Sequence, residues 1–263
     1  MQLKKLEIHI IFRYNRCGFR QAKKRPDRQT ATERKGINYR MIKYIPEGKV
    51  WRLASILIFA VFYLGFFFYL ENRTADSYHI IECRIDRMIP YCSVFIVPYL
   101  VWFPYQFALL GYFFMGGLDH KEFYRFMTYI CGGMTCFLLV SWLYPNALEL
   151  RPALPRDGGV FDRMVQGLYL IDTPTNVLPS IHVYNSVVFH ITFCRGWERG
   201  TGSRWKRLSA VLIVLIIIST VLIKQHSVID LVLGFVMAGT GYLLVYQGML
   251  RQIVLARLAK QGL

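Results

Sequence analysis

Long apolar stretches alternate along the chain with short polar segments. The clearest stretches are residues 53–70 and 208–223, which contain no Lys, Arg, Asp or Glu. An apolar run of about 18 residues is long enough to cross a hydrocarbon layer about 30 Å thick as a helix. The pattern therefore predicts an all-α, polytopic membrane protein. It excludes an ordinary soluble globule and a disordered chain.

Six transmembrane helices in one bundle account for the apolar stretches. The fourth stretch is short, so a re-entrant segment is an alternative to a full span there. Three prolines lie along the second helix, where neighbouring helices or water must satisfy the freed backbone groups, and we expect a kink there. The six predicted spans are 51–70, 89–115, 126–144, 178–194, 208–223 and 228–249.

The basic residues predict how this bundle is oriented. Of the 32 Lys and Arg residues, 15 lie in the first 52 positions, and the six-span arrangement puts 25 on one side and 7 on the other. Because Lys and Arg concentrate in cytoplasmic loops, both termini are expected in the cytoplasm of a plasma-membrane protein. The net charge of +16 is then a topology signal, and no nucleic-acid partner is expected.

Three segments make up the predicted domain organisation. A basic and flexible cytoplasmic tail covers 1–50, the membrane domain covers 51–250, and a short cytoplasmic tail covers 251–263. The first tail lacks the apolar core of a signal peptide. It either only enforces orientation or also binds anionic lipid head groups. The six cysteines have no zinc-type spacing, and a pairing of Cys83 with Cys92 is left open.

Polar and ionisable residues at membrane depth are costly, so they are candidates for function. They occur in three segments, 150–157, 179–190 and 223–230, which the charge-based topology places together at the outer membrane face. His226 and Asp230 are four residues apart, which on one helix would put them on the same face. A carboxylate there fixes the imidazole tautomer and leaves the other ring nitrogen free to react.

The helix that begins near Pro179 carries a second histidine in a polar stripe. His182, Asn185, Ser186 and His190 share one face, which is expected to point into the bundle, and His190 is expected to be a structural residue. Basic side chains at Arg151, Arg156 and Lys224 accompany the two histidines and the aspartate. Such a set suits phosphoryl transfer, because one His attacks phosphorus, the other protonates the leaving alcohol and the cations stabilise the phosphate oxygens. This scheme needs no metal and no cofactor.

At these residues the sequence resembles the type-2 phosphatidic acid phosphatase superfamily. The family's first motif survives as Arg151-Pro152, with Tyr144 in place of its Lys. The second motif reads 179-PSIH-182, with Ile in place of Gly. The third keeps His226 and Asp230 at the family's spacing, but Thr220 replaces its Arg. The resemblance covers about residues 125–250.

The resemblance implies a role for each matching residue. His226 would be the nucleophile that forms a phosphohistidine, Asp230 would orient it, and His182 would be the general acid. Ser180 and Arg151 would hold phosphate oxygens, and Lys224 is our own candidate for part of the missing basic charge. The loss of the family's Lys and one Arg, with the two His and the Asp retained, resembles the branch that contains sphingomyelin synthase and inositol phosphorylceramide synthase. Those enzymes transfer head groups to another lipid.

The sequence thus predicts an integral membrane lipid phosphatase or phosphotransferase. Its substrate would be a phospholipid or a polyprenyl phosphate that reaches the site from the outer leaflet, with its tails among the last three helices. Two alternatives stay open. In the first, the two histidines and the aspartate, which are residue types that bind zinc, belong to a zinc-dependent membrane hydrolase. In the second alternative, the chain is a non-enzymatic lipid-binding or lipid-transport protein that has kept the fold of these phosphatases.

Overall fold

The computed structural model describes residues 48–75, 77–155, 158–196 and 203–248. Both predicted tails lie almost wholly outside these residues, as does Arg156. Helices dominate the described part, and two short strands accompany them. In chain order the elements are α1 (Lys49–Glu71), β1 (His79–Ile80), α2 (Arg84–Met88), α3 (Ile96–Tyr112), α4 (His120–Leu143), β2 (Asn146–Ala147), α5 (Val160–Ile171), α6 (Ile181–Gly196), α7 (Ser203–Leu222) and α8 (Val228–Tyr246).

Five helical segments are long and apolar enough to cross a membrane, namely Lys49–Glu71, Ser93–Gly117, His120–Leu143, Ser203–Leu222 and Val228–Tyr246. They correspond to five of the six predicted spans, which confirms a helical membrane protein. The fourth predicted span forms the 16-residue α6, which is shorter than the other five. The count of six full spans is therefore not confirmed.

The second span begins later than the apolar pattern predicted. Ile89 precedes Pro90 and has an extended backbone, as residues before proline prefer. The helix starts only with a 3-10 turn at Ser93–Phe95, continues as α3 with Pro104 inside it, and closes in a π-helical turn at Phe113–Gly117. Gly116 in that turn has φ of 125°, which glycine adopts without strain.

Helix α6 lies at the centre of the bundle. It packs against α3, α4, α7 and α8, and its buried residues include His182, Asn185 and Ser186. The predicted polar stripe therefore does point inward. By contrast, only 11% of the apolar window of α1 is buried, against 44% for α4. The exposed apolar side chains of α1 are suited to contact with lipid.

Two glycines allow the close helix packing that positions α6. A Cβ on Gly133 of α4 would lie 1.9 Å from the ring of Tyr184, so only glycine admits that ring. A Cβ on Gly234 of α8 would lie 2.9 Å from both the Ser180 carbonyl oxygen and the Val183 side chain. The start of α8 consequently approaches the start of α6 closely.

The connection between α4 and α6 contains structure that the apolar pattern did not predict. Strand β2 of this connection pairs in parallel with β1, which lies between α1 and α2. The same connection contains α5, an amphipathic helix of 12 residues. Val165 of α5 is buried with Tyr99 and Ile96 of the second span, while Leu170 and Ile171 are exposed. This connection and the α7–α8 turn lie at the same end of the bundle, since the hydroxyl of Tyr169 donates to the carbonyl of Ile223 at 2.6 Å.

Candidate active site

The tight turn between α7 and α8 presents His226. The backbone N–H groups of Gln225 and His226 both donate to the carbonyl of Thr220, at 2.8 and 3.1 Å. Lys224 has a left-handed backbone with φ of 55°, which reverses the chain direction. Ser227 then caps α8, because its hydroxyl oxygen accepts the N–H of the residue two positions on at 3.1 Å.

Asp230 contacts His226 through this cap and not along one helical face. Helix α8 begins only at Val228, so His226 lies in the turn before it. The carboxylate of Asp230 folds back and accepts the N–H of Ser227 at 2.9 Å and Nδ1 of His226 at 3.2 Å. The predicted pair is present, but the expectation that both residues share a helical face is wrong.

The two histidines and the aspartate form one row of hydrogen bonds. Nε2 of His226 lies 3.0 Å from Nδ1 of His182, on the side of the ring opposite Asp230. Since Asp230 accepts the Nδ1 proton of His226, the Nε2 lone pair is free to accept the Nδ1 proton of His182. The row runs from the carboxylate through a nucleophilic nitrogen to a proton donor. His182, His226 and Asp230 are all buried, and Asp230 has no exposed surface.

Aromatic rings of α3 hold the imidazole of His182 in place. Its ring centroid lies 4.8 Å from that of Tyr99 and 4.3 Å from that of Trp102. The sequence did not indicate these contacts, because an aromatic residue in an apolar span looks like any other core residue. They restrict the ring orientation that presents Nδ1 to His226.

Ser180 lies at the start of α6 next to the row. It is fully buried, its N–H donates to the Asp230 carbonyl at 3.2 Å, and its hydroxyl oxygen accepts the N–H of Val183 at 3.4 Å. These bonds tie the start of α6, which carries His182, to the start of α8. Its predicted contact with phosphate stays a prediction.

Arg151 reaches the site through Gln225. Its guanidinium donates to the Gln225 side-chain oxygen and to the Tyr169 carbonyl, the latter at 3.4 Å, and stacks 4.4 Å from the Tyr169 ring centroid. Gln225 in turn donates to Asp172 at 3.0 Å, and the hydroxyl of Tyr99 also donates to Asp172, at 3.3 Å. Arg151 thus contacts the residue that precedes His226 and not His226 itself. Sequence reasoning missed Gln225, although it directly precedes His226.

Burial shifts the pKa values of the acid and the base in this chain of contacts. It raises the pKa of Asp172, which His226 and Arg151 oppose. It also lowers the pKa of Arg151, which Asp172 opposes. Asp172 and Arg151 are thus a half-buried acid and a half-buried base, and the side-chain amide of Gln225 links them by one hydrogen bond to each.

Lys224 lies outside this group. Its ammonium donates to the carbonyls of Asp86 and Ile89, both at 2.6 Å, at the end of α2. Burial lowers its pKa, and Asp86 opposes that effect. The structure does not bring Lys224 to the histidine pair, because its left-handed backbone directs the side chain towards α2. Its predicted role in phosphate binding has no support from this geometry.

Asp86 is a buried acid that sequence reasoning missed. Only 2% of it is exposed, and its carboxylate accepts the hydroxyl of Ser227 at 2.7 Å, the N–H of Val228 at 2.8 Å and the N–H of Cys83 at 2.7 Å. Helix α2 thereby holds the turn that presents His226. The one available signal was an acid in a short loop between two spans.

A cavity of about 50 Å³ opens beside the histidine pair. Its polar wall is formed by His182, His226, Gln225, Asp172, Glu71 and Asn176. The rings of Phe67 and Phe137 contribute an apolar wall. No Lys or Arg of the described residues lines it. A small polar recess therefore adjoins an apolar surface, as an amphiphilic ligand requires.

Of the three positions where the motifs depart from the family, Ile181 lines the cavity beside His182, whereas the side chains of Tyr144 and Thr220 make contacts outside the row. The Tyr144 ring stacks on His79, with centroids 4.1 Å apart. Thr220 is buried, and its hydroxyl donates to the Ile217 carbonyl at 2.8 Å. His190 pairs with Ser209 at 2.8 Å, which confirms it as a bundle residue. Cys83 and Cys92 form no disulfide with each other or with another cysteine of the described residues.

The described ranges contain no cluster of side chains with the arrangement of a metal site. Within them no three His, Cys, Asp or Glu side chains converge as metal ligands. His182, His226 and Asp230 instead form a row in which each bonds the next.

The chain matches no protein-family model, no curated protein and no solved structure. The likeness to the phosphatidic acid phosphatase superfamily therefore rests on the motifs alone.

Proposed function

We propose that this membrane protein is a lipid phosphatase or phosphotransferase that acts through a phosphohistidine on His226. The observation that supports this most is the buried row from Asp230 through His226 to His182, with distances of 3.2 and 3.0 Å. It supplies a base-oriented nucleophile and a proton donor at one point, which phosphoryl transfer requires.

The first step forms a bond between Nε2 of His226 and phosphorus. The bond between phosphorus and the leaving alcohol breaks, and His182, which enters this step as the doubly protonated imidazolium, gives its Nδ1 proton to the alcohol oxygen and becomes neutral. Asp230 stabilises the positive charge that develops on the His226 ring. Because the two nitrogens are in hydrogen-bond contact, the phosphoryl group separates the rings as it enters.

The second step reverses the proton transfer. Water or the hydroxyl of a second lipid attacks phosphorus, and the now neutral nitrogen of His182 takes its proton. The bond to His226 breaks, and the resting row is restored. Arg151 supplies positive charge through Gln225. The amphiphilic surroundings of the cavity support a phosphorylated lipid as substrate.

Single substitutions of the histidines test this function. Turnover is measured on a labelled phospholipid panel, with and without an added lipid alcohol. We expect His226→Ala and His182→Ala each to lower phosphate release and head-group transfer by a factor of about 10² or more. His190→Gln is the matched control, because it changes a histidine of α6 that pairs with Ser209. Free phosphate identifies a phosphatase and a new phospholipid a transferase. Wild-type turnover by His226→Ala would refute the mechanism. Lipid translocation without turnover would favour a transport protein.

We also propose that this end of the bundle lies at the outer face of the plasma membrane, with both termini in the cytoplasm. The charge asymmetry of the loops supports this orientation. Substrate would then enter from the outer leaflet.

A further inference from the structure

The cavity beside the histidine pair is rich in hydrogen-bond acceptors. Two carboxylates, Glu71 and Asp172, line it together with His182 and His226, while no Lys or Arg of the described chain does so. The phosphate of a substrate brings further negative charge into this space. A ligand that carried only negative charge would be repelled by both carboxylates.

Glu71 is the carboxylate of this wall that forms no ion pair with a basic group of the described residues. It accepts the hydroxyl of Thr173 and the side-chain N–H of Asn176, the latter at 2.9 Å, and both donors are neutral. None of the ion pairs among the described residues includes Glu71. Asp172 differs, because Gln225 links it to Arg151. Among the described residues the charge of Glu71 therefore has no ion-pair partner in direct contact, and Arg151 acts on it only at longer range.

Asn176 supplies a second and independent indication of a ligand. It lines the cavity, is only 6% exposed, and its side-chain oxygen has no hydrogen-bond partner in the part of the chain that the structure describes. Its backbone is left-handed, with φ of 55°. A buried acceptor without a partner requires an explanation such as a ligand, and left-handed backbone at a non-glycine residue concentrates at ligand sites. The side chain thus orients Glu71 with its amide N–H and leaves its oxygen for a donor.

We propose that the Glu71–Asn176 side of the cavity binds the primary ammonium of a phosphoethanolamine-type head group. This inference rests on the proposed function, because it places the phosphorus of the same head group at His226. An ammonium carries three N–H donors, no acceptor and one positive charge, which matches a carboxylate without an ion-pair partner beside an amide oxygen without a donor. A quaternary ammonium supplies the charge but no donor. A glycerol or inositol head group supplies donors but no positive charge.

The selectivity of purified protein for lipid head groups tests the proposal. Phosphatidylethanolamine, phosphatidylcholine, phosphatidylglycerol and phosphatidate with identical acyl chains are presented in mixed micelles, and kcat/KM is measured from the diacylglycerol released. We expect the ethanolamine lipid to exceed the other three by at least about tenfold. Glu71→Gln should lower kcat/KM for that lipid by about tenfold and leave phosphatidylglycerol unchanged. Glu71→Lys should reverse the preference towards phosphatidylglycerol and phosphatidate.

Glu149→Gln is the matched control, since Glu149 is an exposed glutamate that does not line the cavity. It should retain the wild-type order of head groups. Equal loss on all four lipids in Glu71→Gln, or equal turnover of the choline and ethanolamine lipids by the wild type, would overturn the ammonium site and leave the phosphohistidine mechanism standing. A wild-type protein that turns over none of the four lipids, alone or with a lipid alcohol, would overturn both.

Discussion

Replacement of Asp86 by alanine should destabilise the bundle more than its position in a five-residue helix suggests. The change removes three hydrogen bonds to a carboxylate, at 2.7, 2.8 and 2.7 Å, from Ser227, Val228 and Cys83. A hydrogen bond to a charged group contributes about 1.5–3 kcal/mol, and some of the freed donors regain water. We therefore expect a loss of roughly 3–5 kcal/mol in the free energy of unfolding.

The pH dependence of stability provides a second reading of the same group. Burial alone would raise the pKa of Asp86, but the hydrogen bonds from Ser227, Val228 and Cys83 outweigh it, and the pKa is lowered. A carboxyl with a lowered folded pKa stabilises the fold above its unfolded pKa of about 3.9. That contribution disappears as pH falls through the folded pKa. The wild type should lose stability in this acid range, and Asp86→Ala should lose less.

Unfolding of purified protein in detergent, followed by tryptophan fluorescence, measures both effects. Asp119→Ala is the matched control, because Asp119 is an exposed cap of α4 that accepts one N–H at 2.8 Å. Loss of such a cap costs about 1 kcal/mol. If Asp86→Ala costs no more than Asp119→Ala, or keeps the full acid dependence of the wild type, Asp86 does not hold the α7–α8 turn as described.

Lys224→Met should lower stability by about 2–4 kcal/mol, because the carbonyls of Asp86 and Ile89, one buried and one partly buried, lose their donor, while KM for the lipid stays unchanged. A rise in KM without loss of stability would show instead that Lys224 binds phosphate. In a cysteine-free background, a membrane-impermeant thiol reagent should label Ser77→Cys but not Asp119→Cys in intact cells. The opposite labelling would reverse the proposed orientation.

The sequence predicted the membrane helices well, because long apolar stretches have few alternative structures. Spacing and resemblance also predicted that His182, His226 and Asp230 come together, and the structure shows them in contact. Composition could not give the length of α6 or reveal α5, since a 12-residue amphipathic helix in a loop has no long apolar run.

Contacts between distant segments account for what the sequence did not predict. Asp86 and Ser227 are 141 positions apart, and Glu71 and Asn176 are 105 apart, so no local pattern links them. Lys224 shows the converse error. It is two residues from His226, but a left-handed backbone separates the two side chains. Neighbours in sequence are not neighbours in space where a turn reverses the chain.

The most direct test of the central claim is to trap the covalent intermediate. Wild-type protein is mixed with the phospholipid that it turns over, quenched in base, digested and analysed by mass spectrometry. A base-stable, acid-labile phosphoramidate adduct is predicted on Nε2 of His226, either a bare phosphoryl group or one that still carries its head-group alcohol, and it should be absent in His226→Ala. Turnover with no adduct on His226, or with the adduct on another residue, would contradict the proposed mechanism.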